Sequence, residues 1–417
     1  MLREVYRANP YGWLVVGLSF FILAFIFSAR SALGLYMPYW EQDLGWSRSF
    51  ISTGAAVVLI VMAVSSPFGG NLLDRFGPRL VFAGGLMLIG VSVLATGAMH
   101  APWQFIIVFC VMGGIGYGAT SLPQVAATTA QLFDRYRGLA TGVASAGATG
   151  GQLLVLPVLA LVIAALGWRT SVAAFGVIMI AVAVVVWFVF GPAKARVAAP
   201  DDGGPSVDAA MGTKLRFLFR DRTFWLLGVG FWICGFTTTG VVEMHLIPYA
   251  ATCGFTPTEG ATAYGVMSAV NMGGIILAGF LADRMSRPML LAGVYFVRGL
   301  TFILLMFIAG DSMLLFLFAV VFGASNYAAM PVVASMVASH IGVRIMGLTL
   351  GLLFGLHSVG GAAGAFMAGK LFDLLATYDW TWIAALVLAM LAGVLTLCIE
   401  ERRAPAPMQP VPVPQPA

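Results

Sequence analysis

The chain has 417 residues, of which 60% are hydrophobic and only 9% charged, with 50 glycines and a formal net charge of +5. A water-soluble domain carries about 25% charged residues, so this composition excludes a soluble enzyme and assigns the chain to a bilayer. The apolar stretches recur near the ~20 residues a helix needs to cross about 30 Å of hydrocarbon, and they lack the period-two alternation of a membrane barrel.

Breaks at Gly, Pro and charge clusters predict twelve spans, at residues 12–38, 49–69, 80–99, 103–132, 138–165, 168–190, 223–249, 260–281, 288–309, 312–338, 345–369 and 380–399. The run after MLREVYRANPYGW is longer than a signal peptide and has no small-residue cleavage pattern, so it is expected to stay as a spanning helix. The twelve divide into six-helix halves at 1–190 and 223–400, with a cytoplasmic linker at 191–222 that ends in a short amphipathic surface helix. Residues 401–417 form a Pro-rich tail expected to be disordered. The fold class read from this pattern is an all-α integral membrane protein with two pseudo-symmetric halves. Cys110, Cys234, Cys253 and Cys398 are scattered without CxxC or His-paired spacing, so no disulfide framework, metal site or cofactor is expected.

With the N-terminus inside, 17 of the 22 Lys and Arg fall on cytoplasmic segments, and only Arg48, Arg169 and Lys370 fall outside. The positive-inside rule therefore places both termini in the cytoplasm, which fits a bacterial inner membrane. The net charge is topological, and no nucleic-acid partner is needed to explain it.

An internal repeat marks the halves. GGNLLDRFGPR (Gly69 to Arg79) stands between spans 2 and 3, and GFLADRMSRP (Gly279 to Pro288) between spans 8 and 9, with Gly70 to Asp74 spaced as Gly279 to Asp283. The glycines permit close helix approach, and Asp74 and Asp283 suit the capping of a neighbouring helix N-terminus. Arg75, Arg79 and Arg284 are placed to bind carbonyls or acids across the halves. The set Gly70, Asp74, Arg75, Arg79, Gly279, Asp283 and Arg284 is thus expected to latch the cytoplasmic side. This loop pair resembles the signature of the major facilitator superfamily, which the chain is similar to in length, span count and linker.

LFDRYRGLATGVASAGATGGQLLVLP (Leu132 to Pro157), RSALGLYMPYWEQDLGWSRS (Arg30 to Ser49) and HLIPYA (His245 to Ala250) resemble the monocarboxylate transporter branch and its bacterial relatives, including oxalate/formate exchangers. The pattern departs from that branch on span 8, where its arginine falls near Gly274 or Ile275 and its acid near Asn271. The span 4 arginine of many proton-coupled facilitators falls near Cys110, and the span 5 antiporter signature is replaced by GATGGQLLV.

The ionisable residues expected to be buried in the membrane are Arg30, Glu243, His245, Arg298 and His357. A charge at bilayer centre costs about 2.5–3.5 kcal/mol on insertion scales, so each needs a reason. Two arginines against one acid leave a positive centre, and a guanidinium holds a carboxylate with two parallel hydrogen bonds, which makes an organic anion the natural partner. The resemblance puts spans 1, 4, 7 and 10 around the cavity. Arg30 on span 1 is either a carboxylate ligand or a gate partner of Glu243, and Arg298 on span 9 either reaches the cavity or bonds helix carbonyls or Asn271. His357 on span 11 is a proton or substrate group, or a packing histidine. Glu243 and His245 are further proton-site candidates. Tyr36, Tyr117, Gln124, Gln152, Asn271, Asn326 and Tyr327 complete the candidate substrate-binding set, each also open to a role in helix packing. Pro123, Pro157, Pro248 and Pro331 are expected to bend helices.

No nucleophile–base pair, metal spacing or phosphate loop is present, so no enzyme is expected. A two-fold repeat with midplane charges suits alternating access rather than a channel. The expected function is a secondary transporter of a small organic anion of monocarboxylate type, coupled to a proton. The alternatives are carboxylate exchange without protons and a membrane ligand sensor that does not transport. A monomer in the bilayer is expected.

Overall fold

The computed structural model describes residues 9–133, 136–190 and 204–402. Expectations for Arg3, Arg7, Arg135, the first part of the linker and the Pro-rich tail lie outside these residues, as does the side chain of Arg48. Among the described residues all regular structure is helical. The spans are α1 Pro10–Leu44, α2 Arg48–Phe76, α3 Pro78–Thr96, α4 Pro102–Leu132, α5 and α6 within Arg137–Val189, α7 Arg222–Thr252, α8 Pro257–Ala282, α9 Arg287–Met306, α10 Ser312–His340, α11 Met346–Leu375 and α12 Asp379–Leu397.

Arg137–Val189 is a continuous run of 53 residues. At 1.5 Å per residue it would be about 80 Å long, far more than one bilayer crossing. Gly167, at φ 78° and ψ 162°, turns the chain there and splits the run into α5 (137–166) and α6 (168–189). The backbone at this position lies in a region that residues with a Cβ avoid.

Several helices outrun the predicted apolar windows. α1 continues to Leu44 and α2 to Phe76, so Glu41, Asp43 and Asp74 lie on helices rather than in loops. This corrects the assignment of Glu243 as the sole acid on a span. The predicted surface helix is present as Met211–Arg220, immediately before α7.

Pro123 and Pro331 each break their helix one turn upstream. A proline ring clashes with the carbonyl four residues earlier, which is that of Ala119 in α4 and that of Tyr327 in α10. Helix stops at Ala119 and resumes at Leu122, and it stops at Ser325 and resumes at Ala329. Pro157 and Pro248 stay inside helices. On the face opposite the linker, Trp40 packs against Trp46, Phe105, Phe109 and Trp168 at 5.4–6.3 Å between ring centroids, joining α1, α4 and α6.

Candidate functional site

The broken segment of α10 organises the centre. The helix carbonyls freed by the break need donors, and Arg298 of α9 supplies them. Its Nη2 donates to the carbonyls of Ser325 at 2.5 Å and Asn326 at 2.6 Å, and its Nη1 donates to Cys234 Sγ at 2.9 Å. Arg298 is 0% exposed and also lies over the Tyr295 ring at 5.5 Å. A fixed positive charge at a helix C-terminus is electrostatically favourable. Arg298 thus bonds helix carbonyls through Nη2, one of the two alternatives read from the sequence, while its Nε has no partner among the described residues. In α4 the matching break is served by neutral hydroxyls, with Thr120 donating to Gly116 at 2.8 Å and Ser121 to Gly118 at 3.1 Å.

The break also aims two side chains. The Tyr327 hydroxyl donates to Glu243 Oε1 at 2.8 Å, and Glu243 follows directly on a π-helical segment of α7, Phe236–Val242. The Tyr327 backbone N–H donates to Asn271 Oδ1 at 3.1 Å, and Asn271 Nδ2 donates to Thr149 Oγ1 at 3.1 Å. A polar chain thus runs from Glu243 through α10 and α8 to α5 in the other half. Arg30 is half-buried on α1 and lies over Phe27 at 4.8 Å. It has no hydrogen-bond acceptor or ion-pair partner among the described residues. Its charge acts on Tyr117, Tyr264, Tyr327 and His357, and the charge of Glu243 acts on Tyr264, Tyr327 and His357. Tyr327 and His357 line a common cavity, and Glu243 is joined to it through the Tyr327 hydroxyl.

This cavity, of about 20 Å³, lies between Leu122 of α4, Phe231 and Cys234 of α7, the α10 break and His357 of α11. That is room for about one water molecule. His357 is stacked on Phe354 at 5.6 Å and lies against Phe231 at 5.7 Å.

Several other candidates bond to neighbouring helices. Gln124 is fully buried and donates to Ser66 O at 2.9 Å, tying α4 to α2. Tyr36 is stacked on Trp40 and meets Ser171 Oγ of α6 at 3.5 Å. His245 lies between Tyr378 Oη and the Ala365 carbonyl, each at 3.2 Å, away from Glu243. Gln152 donates to Ser31 Oγ at 3.1 Å, one residue from Arg30, and the Tyr117 hydroxyl is buried without a partner.

On the linker face two seams join the halves by the same geometry. Asp74 of α2 accepts from the first-turn N–H groups of α11, Gly347 at 2.8 Å and Leu348 at 2.9 Å. Asp283, at the end of α8, accepts from those of α5, Gly138 at 2.7 Å and Leu139 at 2.9 Å. A Cβ on Gly70 would stand 2.0 Å from the Gly347 carbonyl oxygen, and one on Gly279 would stand 2.2 Å from that of Gly138. Burial pushes the Asp283 carboxyl up from its usual range, against the backbone donors of Leu139 and Gly138 and the charges of Arg137 and Arg287.

The arginines of the repeat do not cross these seams, contrary to expectation. Arg75 meets Asp208 before the linker helix at 4.0 Å, Arg79 lies over Trp187 at 4.1 Å, and Arg284 lies over Phe280 of its own helix at 3.7 Å. Lys214 of the linker helix, missed from sequence, is fully buried and donates to Asn71 Oδ1 at 2.7 Å and the Val207 carbonyl at 2.6 Å. Burial lowers its ammonium, with the charge of Asp74 opposing.

Two matches to the family model described as Major Facilitator Superfamily cover residues 19–365 and 274–416. The chain belongs to the major facilitator superfamily. Facilitators similar to it include an uncharacterized MFS-type transporter, YcxA, of Bacillus subtilis strain 168, 27% identical over 92% of this chain and 94% of that one. Monocarboxylate transporter 13 of Bos taurus is 24% identical over 91% of this chain and 88% of that one. Among solved structures, the human organic anion transporter MFSD10 superposes with a TM-score of 0.72 at 16% identity, covering 93% of this chain and 99% of that one. This likeness shows the facilitator fold.

The facilitator site also contains residues that sequence reading passed over. Tyr264, Thr149, Phe231 and Phe354 carry no motif, and only the packing of α5, α7, α8 and α11 brings them to the centre.

Proposed function

We propose that this facilitator is a secondary transporter of a small organic anion of monocarboxylate type, moved with a proton by alternating access. The observation that carries the reading is Arg30, a half-buried guanidinium on α1 with no acceptor among the described residues. Its charge is permanent, and a carboxylate can meet it with two parallel hydrogen bonds. Arg298, the other deep cation, is occupied by the α10 carbonyls. Relatives named for monocarboxylate transport and a fold neighbour named for organic anions support the same class.

In mechanism, the anion pairs with Arg30 and cancels the charge that opposes closure around it. Glu243, held by Tyr327, takes the proton, so its negative charge does not repel the substrate. The seams at Asp74 and Asp283 hold the predicted cytoplasmic side shut in the present state, and their release lets the halves rock around the site.

The test is uptake into proteoliposomes with an imposed pH gradient, offered carboxylates, amines and neutral sugars in turn. Carboxylate accumulation that follows the gradient and is lost in Arg30→Gln supports the reading. Uptake of amines or sugars that Arg30→Gln leaves intact overturns it, and carboxylate exchange indifferent to a proton uncoupler overturns the coupling.

A further inference from the structure

Resting on the organic-anion reading above, the geometry points to a more specific cargo: we propose an aryl monocarboxylate bearing a hydroxyl group, with the hydroxyl received by Asn326. Asn326 is 3% exposed and lines the cavity at the α10 break. Its side-chain Oδ1 is buried without a partner, and its Nδ2 donates to no described residue. A buried carboxamide that makes no hydrogen bond is rare, because the polar group has lost water and gained nothing.

The backbone around Asn326 is not free to carry the side chain away. Arg298 grips the carbonyls of Ser325 and Asn326, and Asn271 accepts from the N–H of Tyr327. The carboxamide therefore stays aimed at the cavity with one acceptor and two donors on offer. A hydroxyl satisfies both kinds of site, donating to Oδ1 and accepting from Nδ2. An ether oxygen only accepts, and a hydrogen atom does neither.

The remaining walls select the body of the molecule. Phe354 and the imidazole of His357 stand parallel, 3° apart at 5.6 Å, and Phe231 lies at 56° to His357. Such surfaces favour a flat ring through offset stacking and edge contacts. Leu122, on the opposite half, closes the space from the other side. The cavity is about 20 Å³ in this state, so entry of a ring requires it to widen, and we place that widening in a state where Leu122 has separated from the other lining residues. In the contracted state a single water is the competing partner for Asn326.

Binding of 4-hydroxyphenylacetate, phenylacetate, 4-methoxyphenylacetate and lactate to the purified full-length protein tests the proposal, by titration calorimetry and thermal stabilisation. The expected result is about tenfold tighter binding of the hydroxyl compound than of phenylacetate or the methoxy compound, with lactate weakest. Asn326→Leu should bring the hydroxyl and plain aryl acids to equal affinity while both still bind. Equal affinity of these two acids in the wild type would mean that water already serves Asn326, and it overturns the hydroxyl assignment even if the variant does not fold. Lactate binding as tightly as the aryl acids overturns the flat body while leaving the anion reading intact. Binding of none of the four overturns both readings together.

Discussion

The Tyr327 hydroxyl donates to the Glu243 carboxylate across 2.8 Å, joining the broken segment of α10 to the end of the π-helical segment of α7. π-Helical turns and helix breaks concentrate at working sites because they free backbone groups and re-aim side chains. If Glu243 is the proton site, Glu243→Gln should abolish accumulation driven by a pH gradient while substrate counterflow persists. Tyr327→Phe should shift the pH dependence of transport and change the rate by about ten- to a hundredfold at most, since one hydrogen bond to a charged group is worth about 1.5–3 kcal/mol. Unchanged gradient-driven accumulation in Glu243→Gln would remove Glu243 from the coupling.

The seams predict the effect of small changes on the linker face. A Cβ on Gly347 would stand 2.5 Å from the Gly70 carbonyl oxygen and 2.8 Å from Asp74 Oδ1, so Gly347→Ala should prevent close approach of α2 and α11. Asp74→Ala removes a charged cap of the α11 N-terminus, an interaction of about 1–2 kcal/mol. Both variants should lose hydrogen-exchange protection at Gly347 and Leu348, and Asp283→Ala should do the same at Gly138 and Leu139. Protection that survives in all three would show that other contacts hold the face closed.

Arg298→Gln leaves the Ser325 and Asn326 carbonyls without a charged donor in the interior. A stability loss of about 1–3 kcal/mol is expected, the cost of leaving buried acceptors without a partner. Thermal unfolding measures it, and a loss below about 1 kcal/mol would mean that water reaches the break.

Beneath the second half, Arg287 donates to Glu401 through Nε at 2.8 Å and Nη2 at 2.5 Å. Burial works to raise the Glu401 carboxyl, but the hydrogen bonds and charge of Arg287 outweigh it and hold the group below its usual value of 4.5. A depressed carboxyl stabilises the fold above its unfolded value, and this contribution is lost as pH falls through the folded one. Wild type should therefore exceed Glu401→Gln in stability at pH 7, by about 1 kcal/mol or less after solvent screening, read as a higher melting temperature. The gap should close as pH falls from 4.5 through the lowered folded value. A gap that persists in acid would assign the effect to packing.

Lys214 anchors the linker helix through Asn71, three residues before Asp74. Lys214→Met keeps the apolar stem and removes the ammonium, so the linker helix should detach and limited proteolysis before α7 should accelerate several-fold. No change in cleavage rate would mean that apolar contacts such as that of the fully buried Leu218 suffice.

The sequence by itself determined the membrane class, the span count and the repeated Gly–Asp loops. Those depend on length, hydropathy and spacing, which are local quantities. Even the turn at Gly167 and the breaks upstream of Pro123 and Pro331 follow from local backbone sterics. Helix ends were less legible, because α1 and α2 run past the hydrocarbon and carry Glu41, Asp43 and Asp74 on polar turns that hydropathy counts as loop. Tertiary structure alone decided which deep charges are spent and which are available. Arg298 and Arg30 look alike in sequence, each a lone arginine in an apolar run, but one meets the open end of a broken helix and the other meets no acceptor among the described residues. Partner choice depends on helix rotation and on where a neighbour's backbone loses its own hydrogen bonds, neither of which is written in a single span.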